Sequence, residues 1–152
     1  MKAVIQRVSS ASVEVNGRIV GACNQGYMIL LGVAEGATEE DAELLCRKIA
    51  ALRVFRDEND KMNLSIRDIN GEALVISQFT LLANYRHGNR PDFLESAKPE
   101  EANRLYEYFK KLLSGELRRV ESGIFGADMK VTLTNEGPVT ICMDSEVLKK
   151  KK

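Results

Sequence analysis

Two short segments carry the polar side chains best placed for chemistry, and the first is Ser77-Gln78-Phe79-Thr80-Leu81. The apolar run before it predicts a central strand over 73–81, in which Gln78 and Thr80 share one face. A polar pair on that face lies where a buried strand should place apolar groups. The threonine hydroxyl would be a nucleophile only if a base activated it. The simpler alternative is that the pair bonds neighbouring backbone or faces solvent.

The second segment is Asn135-Glu136-Gly137-Pro138-Val139-Thr140, which interrupts an alternating apolar pattern. Proline cannot donate to a strand ladder, so two strands are predicted, one on each side of the interruption. Glycine allows backbone geometry that other residues avoid. The residues alone indicate a simple turn, since only about 5% of bonds before proline are cis in folded proteins.

Familiar arrangements of catalytic residues are absent from the sequence. Its one histidine, His87, lies in a polar loop, and no G-x-S-x-G, H-E-x-x-H or Walker motif occurs. His87 is therefore expected to be exposed or to touch an anion rather than to complete a triad. The three cysteines lack C-x-x-C spacing and indicate neither a disulfide framework nor a zinc site. We expect no metal and no cofactor.

The periodicity predicts an α+β fold of about two helices and seven or eight mainly antiparallel strands. Asn16-Gly17 between alternating runs indicates a hairpin, and the apolar run 27–31 indicates a strand buried on both faces. Thr38 is predicted to cap one helix, and Pro99 to open another. Residues 82–98 form a polar loop, long enough to suggest a functional role.

The composition is that of one globular domain. Of the 152 residues, 44% are hydrophobic and 29% are charged, and no apolar stretch approaches the roughly 18 residues of a membrane span. No signal peptide is apparent, and the odd cysteine count fits a reducing compartment, so we expect a cytoplasmic protein. The domain is predicted to cover 1–148, with a disordered lysine tail over 149–152.

The charge balance limits how much nucleic acid the chain is expected to touch. Basic and acidic groups number 22 each, but without the four terminal lysines residues 1–148 carry 18 against 22, a net charge of −4. Long contacts with a phosphate backbone require a basic surface. An RNA partner would therefore be contacted over a small part of its length.

Taken in order, these and other segments resemble the D-aminoacyl-tRNA deacylase family along nearly the whole chain. The further matching segments are Met1-Lys2-Ala3-Val4-Ile5-Gln6-Arg7-Val8, Leu31-Gly32-Val33, Leu52-Arg53-Val54-Phe55, Lys61-Met62-Asn63-Leu64-Ser65, Asn89-Arg90-Pro91 and Phe125-Gly126-Ala127-Asp128-Met129. Each is weak alone, but their order and spacing are specific together. The variable loop and the lysine tail depart from the family pattern and leave the contact with the body of the tRNA open.

The resemblance implies a barrel-like single domain that forms homodimers and hydrolyses the ester between a D-amino acid and tRNA. In this family the Gly-Pro bond is cis and projects into the active site of the other subunit. Gly137 and Pro138 are thus expected to hold the substrate's α-ammonium and to reject L-amino acids by a steric clash. Glycine has no side chain, so glycine mischarged onto tRNA for alanine should escape this filter.

The resemblance also assigns roles to the first segment and its surroundings. Ser77, Gln78, Phe79 and Thr80 are the expected catalytic group, with backbone N–H groups near Phe79 and Thr80 facing the developing oxyanion. The terminal 2′-hydroxyl of the tRNA is expected to assist the attack, while Gln78 and Thr80 position water and substrate. Phe79 is expected either to stack on the terminal adenine or to pack in the core.

Other side chains are expected to contact the substrate or the tRNA. Phe125 and Met129 would line the pocket, although apolar residues of this kind are often plain core. Arg86, His87 and Arg90 would bind phosphates of the 3′ end, unless they form only a solvated loop. Two rival functions are a non-catalytic nucleic-acid-binding module and a hydrolase of small N- or O-acyl metabolites.

Overall fold

A computed structural model describes residues 1–149 and contains eight strands, three α-helices and one 3-10 helix in that range. In chain order the elements are β1 (Lys2–Val15), β2 (Arg18–Cys23), β3 (Gly26–Gly32), α1 (Glu39–Ala51), β4 (Phe55–Arg56), β5 (Met62–Leu64), β6 (Glu72–Ser77), the 3-10 helix (Phe79–Leu82), α2 (Pro99–Ser114), β7 (Arg119–Ser122), β8 (Lys130–Asp144) and α3 (Ser145–Lys149).

The long strand β1 organises the main sheet. It pairs antiparallel with β2, β3 and β8, and the order β2-β1-β3-β6-β7 continues through parallel pairs at β6 and β7. At the far edges β2 comes so close to β7 that a Cβ atom on Gly21 would lie 2.4 Å from the carbonyl oxygen of Ser122. The sheet therefore curls into a nearly closed barrel, which confirms the predicted α+β, mainly antiparallel fold.

Local turn chemistry explains the first hairpin. Asn16 and Gly17 have φ values of 51° and 79°, and Val15 pairs with Arg18 across the turn. Two successive positive φ values are those of the two-residue turn that matches strand twist, and Asn-Gly adopts it readily. The predicted hairpin is confirmed, and so is the buried strand over 27–31, which lies within β3.

The alternation of side chains along β3 separates two hydrophobic clusters. Tyr27, Ile29 and Leu31 point to one face, where α1 and α2 cover them. Met28 points the other way, into the barrel, where it packs with Leu74 and other residues of β1 and β6. The predicted helix starts at Thr38 and Pro99 are confirmed.

Two predicted strand boundaries were wrong. The strand predicted over 73–81 ends at Ser77, and a 3-10 helix replaces its last part. Gln78 and Thr80 are therefore not two positions on one strand face. Conversely, the interruption at 135–138 does not divide two strands, because β8 continues through it with a shift in its pairing to β1.

Of the tail predicted over 149–152, the structure describes only the first residue. Lys149 is the last residue of α3, and its Nζ lies 2.8 Å from Oδ1 of Asp41. The rest of the predicted tail, 150–152, lies outside the described residues. None of the helices described here is long and apolar enough to cross a membrane.

A buried polar network joins the start of the chain to α1 and α3. The amino group of Met1 donates to Oγ of Ser145 at 2.8 Å, and that hydroxyl donates to Asp41 at 2.6 Å. Asp41 is 1% exposed. Burial alone would raise its pKa, but hydrogen bonds from Lys149, Ser145 and the backbone of Thr38 outweigh burial and hold it well below its usual range.

Replacing Asp41 by asparagine is expected to lower the free energy of unfolding at pH 7 by about 3 kcal/mol, because the buried amino group of Met1 loses its counter-charge. A carboxylate with a depressed folded pKa stabilises the fold above its unfolded pKa, near 4, and that contribution is lost as pH falls. The difference between D41N and wild type should therefore shrink below pH 4. Urea unfolding from pH 2 to 8 measures it, with the exposed neighbour variant Glu40→Gln as control. A constant difference across that range would contradict this account.

Candidate active site

A cavity with a volume of about 650 Å³ opens beside the carboxyl end of β6. Three parts of the chain build it: the end of β6 with the first residue of the 3-10 helix, the loop leading into α2, and the segment between β7 and β8. The lining residues that carry the argument are Ser77, Gln78, Phe79, Phe93, Phe125 and Met129. Five of these six were predicted from the sequence, and the structure brings them to one cavity.

The sharp end of β6 creates the polar wall of the cavity. The N–H of Gln78 donates to the carbonyl of Leu31 at 2.8 Å, and β3 ends at the next residue, so no partner remains to extend the ladder. The chain then turns into the 3-10 helix. This turn brings the Gln78 amide to the hydroxyl of Thr80, to which it donates a hydrogen bond. Thr80 itself is exposed beside the cavity rather than lining it.

Phe79 is a wall of the cavity and not a core residue. Its side chain is 54% exposed, and its ring meets that of Phe93 edge to face at a centroid distance of 4.9 Å and an angle of 71°. The alternative that Phe79 packs in the core is thereby wrong. Phe93 was missed by sequence reasoning, although an aromatic residue in an otherwise polar loop is a usable signal.

The opposite wall is apolar. Phe125 and Met129 are half-buried, and the ring of Phe125 lies 6.0 Å from that of Tyr106 on α2. Gly123 lets the segment pass close to Met129, because a Cβ atom on Gly123 would lie 2.4 Å from its Sδ. Phe125 and Met129 line the cavity and also pack against the hydrophobic clusters, so both roles considered for them from the sequence apply.

The first residues of the 3-10 helix leave two backbone donors free. The N–H groups of Leu81 and Ala83 bond to Gln78 and Thr80, whereas those of Phe79 and Thr80 have no acceptor among the described residues. Initial N–H groups of a helix lack partners within it. Phe79 lines the cavity and Thr80 adjoins it, and paired N–H donors of this kind stabilise negative charge that develops on an oxygen.

Among the described residues, no side chain that could act as a base accepts a hydrogen bond from the Thr80 hydroxyl, so nothing there activates Thr80 as a nucleophile. Its recorded side-chain partner is the Gln78 amide nitrogen, which donates a hydrogen and does not remove one. His87 does not line the cavity. Within residues 1–149, no group of three or more His, Cys, Asp or Glu side chains is arranged to hold a metal ion.

The second predicted segment is an exposed bulge of β8. Gln6 pairs with Thr140 and Val8 with Asn135, so Arg7 alone lies opposite residues 136–139. The Gly137–Pro138 bond is cis, as the resemblance implied, and Gly137 has a φ of 127°. Both residues are exposed, and neither lines the cavity of its own chain.

Hydrogen bonds fix this bulge from two sides. Arg7 is 4% exposed, and its Nε donates to the carbonyl of Glu136 at 3.0 Å while Nη1 donates to that of Val54 at 2.5 Å. Asn135 accepts from the N–H of Val139 at 2.9 Å. Sequence reasoning missed Arg7, although it follows Ala3 and Ile5 at every second position and so puts a charge on the core-facing side of β1.

The three predicted phosphate-binding side chains lie apart from the cavity. Arg86, His87 and Arg90 are exposed on a loop whose base is closed by an isolated bridge between Asn84 and Asp92. Lys98, which the sequence did not single out, does line the cavity. The structure thus separates a compact pocket from a protruding basic loop.

The chain is similar along nearly its whole length to a known class of deacylases. Residues 4–144 match the family model described as D-Tyr-tRNA(Tyr) deacylase. A D-aminoacyl-tRNA deacylase of Sulfurihydrogenibium sp. (strain YO3AOP1) is 57% identical over 148 residues, covering 97% of this chain and 100% of the relative. One of Bacillus pumilus (strain SAFR-032) is 55% identical over 146 residues, covering 96% and 99%.

Solved structures agree with this match. The c-Myc DNA Unwinding Element Binding Protein superposes with a TM-score of 0.90 at 41% identity, covering 95% of this chain and 98% of that one. A probable eukaryotic D-amino acid tRNA deacylase, 17% identical, shares the fold with a TM-score of 0.79 over 94% of this chain and 98% of that one. The chain belongs to the D-Tyr-tRNA(Tyr) deacylase family, which confirms the family indicated by its sequence segments, and it is a hydrolase.

Proposed function

We propose that this protein hydrolyses the ester bond of D-aminoacyl-tRNA and releases the free D-amino acid and tRNA. The observation that carries the proposal is the cavity beside the end of β6, where Ser77, Gln78 and Phe79 meet the apolar wall of Phe125 and Met129 in a chain of this family. The cavity is large enough for an aminoacyl group and part of a nucleoside.

The proposed chemistry is the addition of water to the ester carbonyl. The carbonyl oxygen gains negative charge, which the free N–H groups of Phe79 and Thr80 stabilise. The bond from the carbonyl carbon to the ribose oxygen then breaks, and that oxygen takes up a proton. Because the partner of Thr80 is a donating amide, we assign Gln78 and Thr80 to positioning. The neighbouring 2′-hydroxyl of the substrate assists the attack.

The chiral filter is proposed to act across a homodimer. Gly137 and Pro138 are exposed and do not line their own cavity, which fits a role in the cavity of a second copy. Their backbone carbonyls would hold the α-ammonium and occupy the space that an L side chain needs. Backbone atoms do not measure the side chain, so many D-amino acids and also glycine mischarged onto tRNA for alanine would be accepted.

Recognition of the tRNA is proposed to be confined to its 3′ end, in the cytoplasm. Arg86, His87 and Arg90 supply cationic or hydrogen-bonding groups on the loop that leads through Asp92 to Phe93 of the cavity wall. A net charge of zero over the whole chain does not favour long contacts with phosphates.

A second candidate function is non-catalytic binding of nucleic acid. The observation that favours it is the similarity to a protein named for binding a DNA unwinding element. A binding module would retain nucleic-acid affinity and leave the aminoacyl ester intact. The described residues offer no general base to the Thr80 hydroxyl, which also fits a protein without catalytic activity. Turnover of the aminoacyl ester therefore distinguishes the deacylase from the binding module.

Three substrates test the proposed chemistry together. D-tyrosyl-tRNA should be hydrolysed rapidly, the same ester on a 2′-deoxy terminal adenosine about 100-fold more slowly, and D-tyrosine methyl ester hardly at all. Release of radiolabelled tyrosine measures each rate. Unimpaired cleavage of the 2′-deoxy substrate would refute assistance by the 2′-hydroxyl and would favour Thr80 as the nucleophile. Rapid cleavage of the methyl ester would indicate a hydrolase of small acyl metabolites instead.

A further inference from the structure

The loop between the 3-10 helix and α2 projects as a small hairpin, which we call the finger (residues 84–92). Asn84 and Asp92 exchange backbone hydrogen bonds of 2.8 and 2.9 Å at its base. The side chain of Asn84 also accepts from the N–H of Arg86 at 3.0 Å, and Gly88 makes the tip with a φ of 69°. The finger is therefore a defined element and not an irregular stretch.

The finger carries an exposed aromatic ring that packs against no other ring among the described residues. Tyr85 is 81% exposed, and it takes part in none of the aromatic contacts among the described residues. An exposed ring of this size stabilises the fold little, because it buries little apolar surface. Exposed aromatic residues that contribute little to packing are well suited to stack on an unpaired base.

The charges around Tyr85 are those of a nucleic-acid contact. Arg86 and Arg90 are exposed and form no ion pair in the part of the chain that the structure describes. The sequence from Tyr85 to Pro91 contains no acidic residue. Free guanidinium groups bind phosphates in a bidentate manner and stabilise a backbone passing beside the ring.

The distance from the cavity indicates which part of the tRNA the ring meets. Tyr85 follows Asn84, which bridges to Asp92, and Asp92 precedes Phe93 at the cavity wall. Successive Cα atoms are about 3.8 Å apart and bridged pairs about 5 Å, so Tyr85 and Phe93 have Cα atoms within about 13 Å. That upper limit corresponds to at most about four stacked bases at about 3.4 Å each.

We infer that Tyr85 stacks on an unpaired base of the tRNA 3′ tail, a few nucleotides from the esterified adenosine. Tyr85 therefore recognises the tail rather than the amino acid. The inference rests on the proposed function, because that function places the terminal adenosine in the cavity. A base in the tail has free faces, whereas a base inside the acceptor stem is already stacked on both sides.

The test is the binding of uncharged tRNA to Tyr85→Ala, Tyr85→Phe and wild type by fluorescence anisotropy. Loss of one base stack should weaken binding of intact tRNA by Tyr85→Ala about tenfold, whereas Tyr85→Phe keeps the ring and should stay within about twofold of wild type. Removing the unpaired 3′ nucleotides should abolish the difference between wild type and Tyr85→Ala. In turnover of D-tyrosyl-tRNA, Tyr85→Ala should raise KM and leave kcat unchanged.

A matched control is Leu94→Ala, which removes a side chain that is 85% exposed and lies outside the finger. It should bind intact tRNA as wild type does. Intact tRNA bound equally by Tyr85→Ala and wild type would overturn the inference, and so would a Tyr85→Phe variant as weak as Tyr85→Ala. A wild-type protein that fails to hydrolyse D-tyrosyl-tRNA would refute the proposed function, while the binding assay would still decide the role of Tyr85.

Discussion

Replacing Gly137 by alanine is expected to lower kcat/KM for D-tyrosyl-tRNA by about 100-fold with little change in tRNA affinity. The φ of 127° is one that residues with a Cβ rarely adopt. A Cβ atom there would lie 2.8 Å from Nη2 of Arg7 and 3.1 Å from a methyl carbon of Val139. The backbone carbonyls of the bulge would shift, and the proposed substrate contacts depend on their position. Single-turnover hydrolysis and tRNA binding measure the two quantities.

The matched control for this variant is Gly36→Ala. Gly36 also has a positive φ, 84°, but an added Cβ atom would meet nothing within 4 Å. The control carries a similar backbone cost without the clash and lies outside the site, so it should lose stability and keep its activity per folded molecule. Full activity of Gly137→Ala on the D ester would contradict the role proposed for the bulge.

Replacing Arg7 by methionine is expected to lower the free energy of unfolding by about 1–3 kcal/mol and to reduce activity beyond the loss of folded protein. The side chain keeps a similar length but no longer donates to the carbonyls of Glu136 and Val54, and leaving the buried carbonyl of Val54 without a donor costs about 1–3 kcal/mol. The bulge of β8 also loses the hydrogen bond from Arg7 to the Glu136 carbonyl, which helps to fix its position. Urea unfolding and kcat/KM at a temperature where the variant is folded measure these effects.

The control for Arg7 is an arginine that holds nothing in the core. Arg56 is 51% exposed and pairs across the surface with Asp60. Arg56→Met should change the free energy of unfolding by less than about 0.5 kcal/mol. An Arg7→Met variant with wild-type activity per folded molecule would show that Arg7 supports the fold alone and does not position the bulge.

Local chemistry made some elements predictable from the sequence. The Asn16-Gly17 hairpin and the two helix starts follow from residues that favour one backbone conformation. The end of β6 does not, because Phe79 and Leu81 continue an alternating pattern past Ser77. The strand stops because β3 ends beside it, and that partner is distant in sequence. Tertiary pairing likewise keeps β8 continuous through Pro138.

The candidate site was predictable in its residues but not in its arrangement. Ser77, Gln78, Phe79, Phe125 and Met129 were indicated by family resemblance, and they do line one cavity. Periodicity placed Gln78 and Thr80 on a strand face, whereas the 3-10 turn brings them together and frees two N–H groups. The support from Arg7 depends on which residues lie opposite the bulge, which a single sequence does not encode locally.

The most direct test of the central claim is the hydrolysis of D-tyrosyl-tRNA and L-tyrosyl-tRNA by purified protein treated with a metal chelator. The proposed site, which reads the α-carbon with backbone atoms and uses no metal, predicts that the D ester is cleaved at least about 100-fold faster than the L ester. Equal cleavage of the two esters would contradict the chiral filter. Loss of all cleavage after chelation would show that a metal ion is required, and would contradict a mechanism that uses only groups of the protein and its RNA substrate.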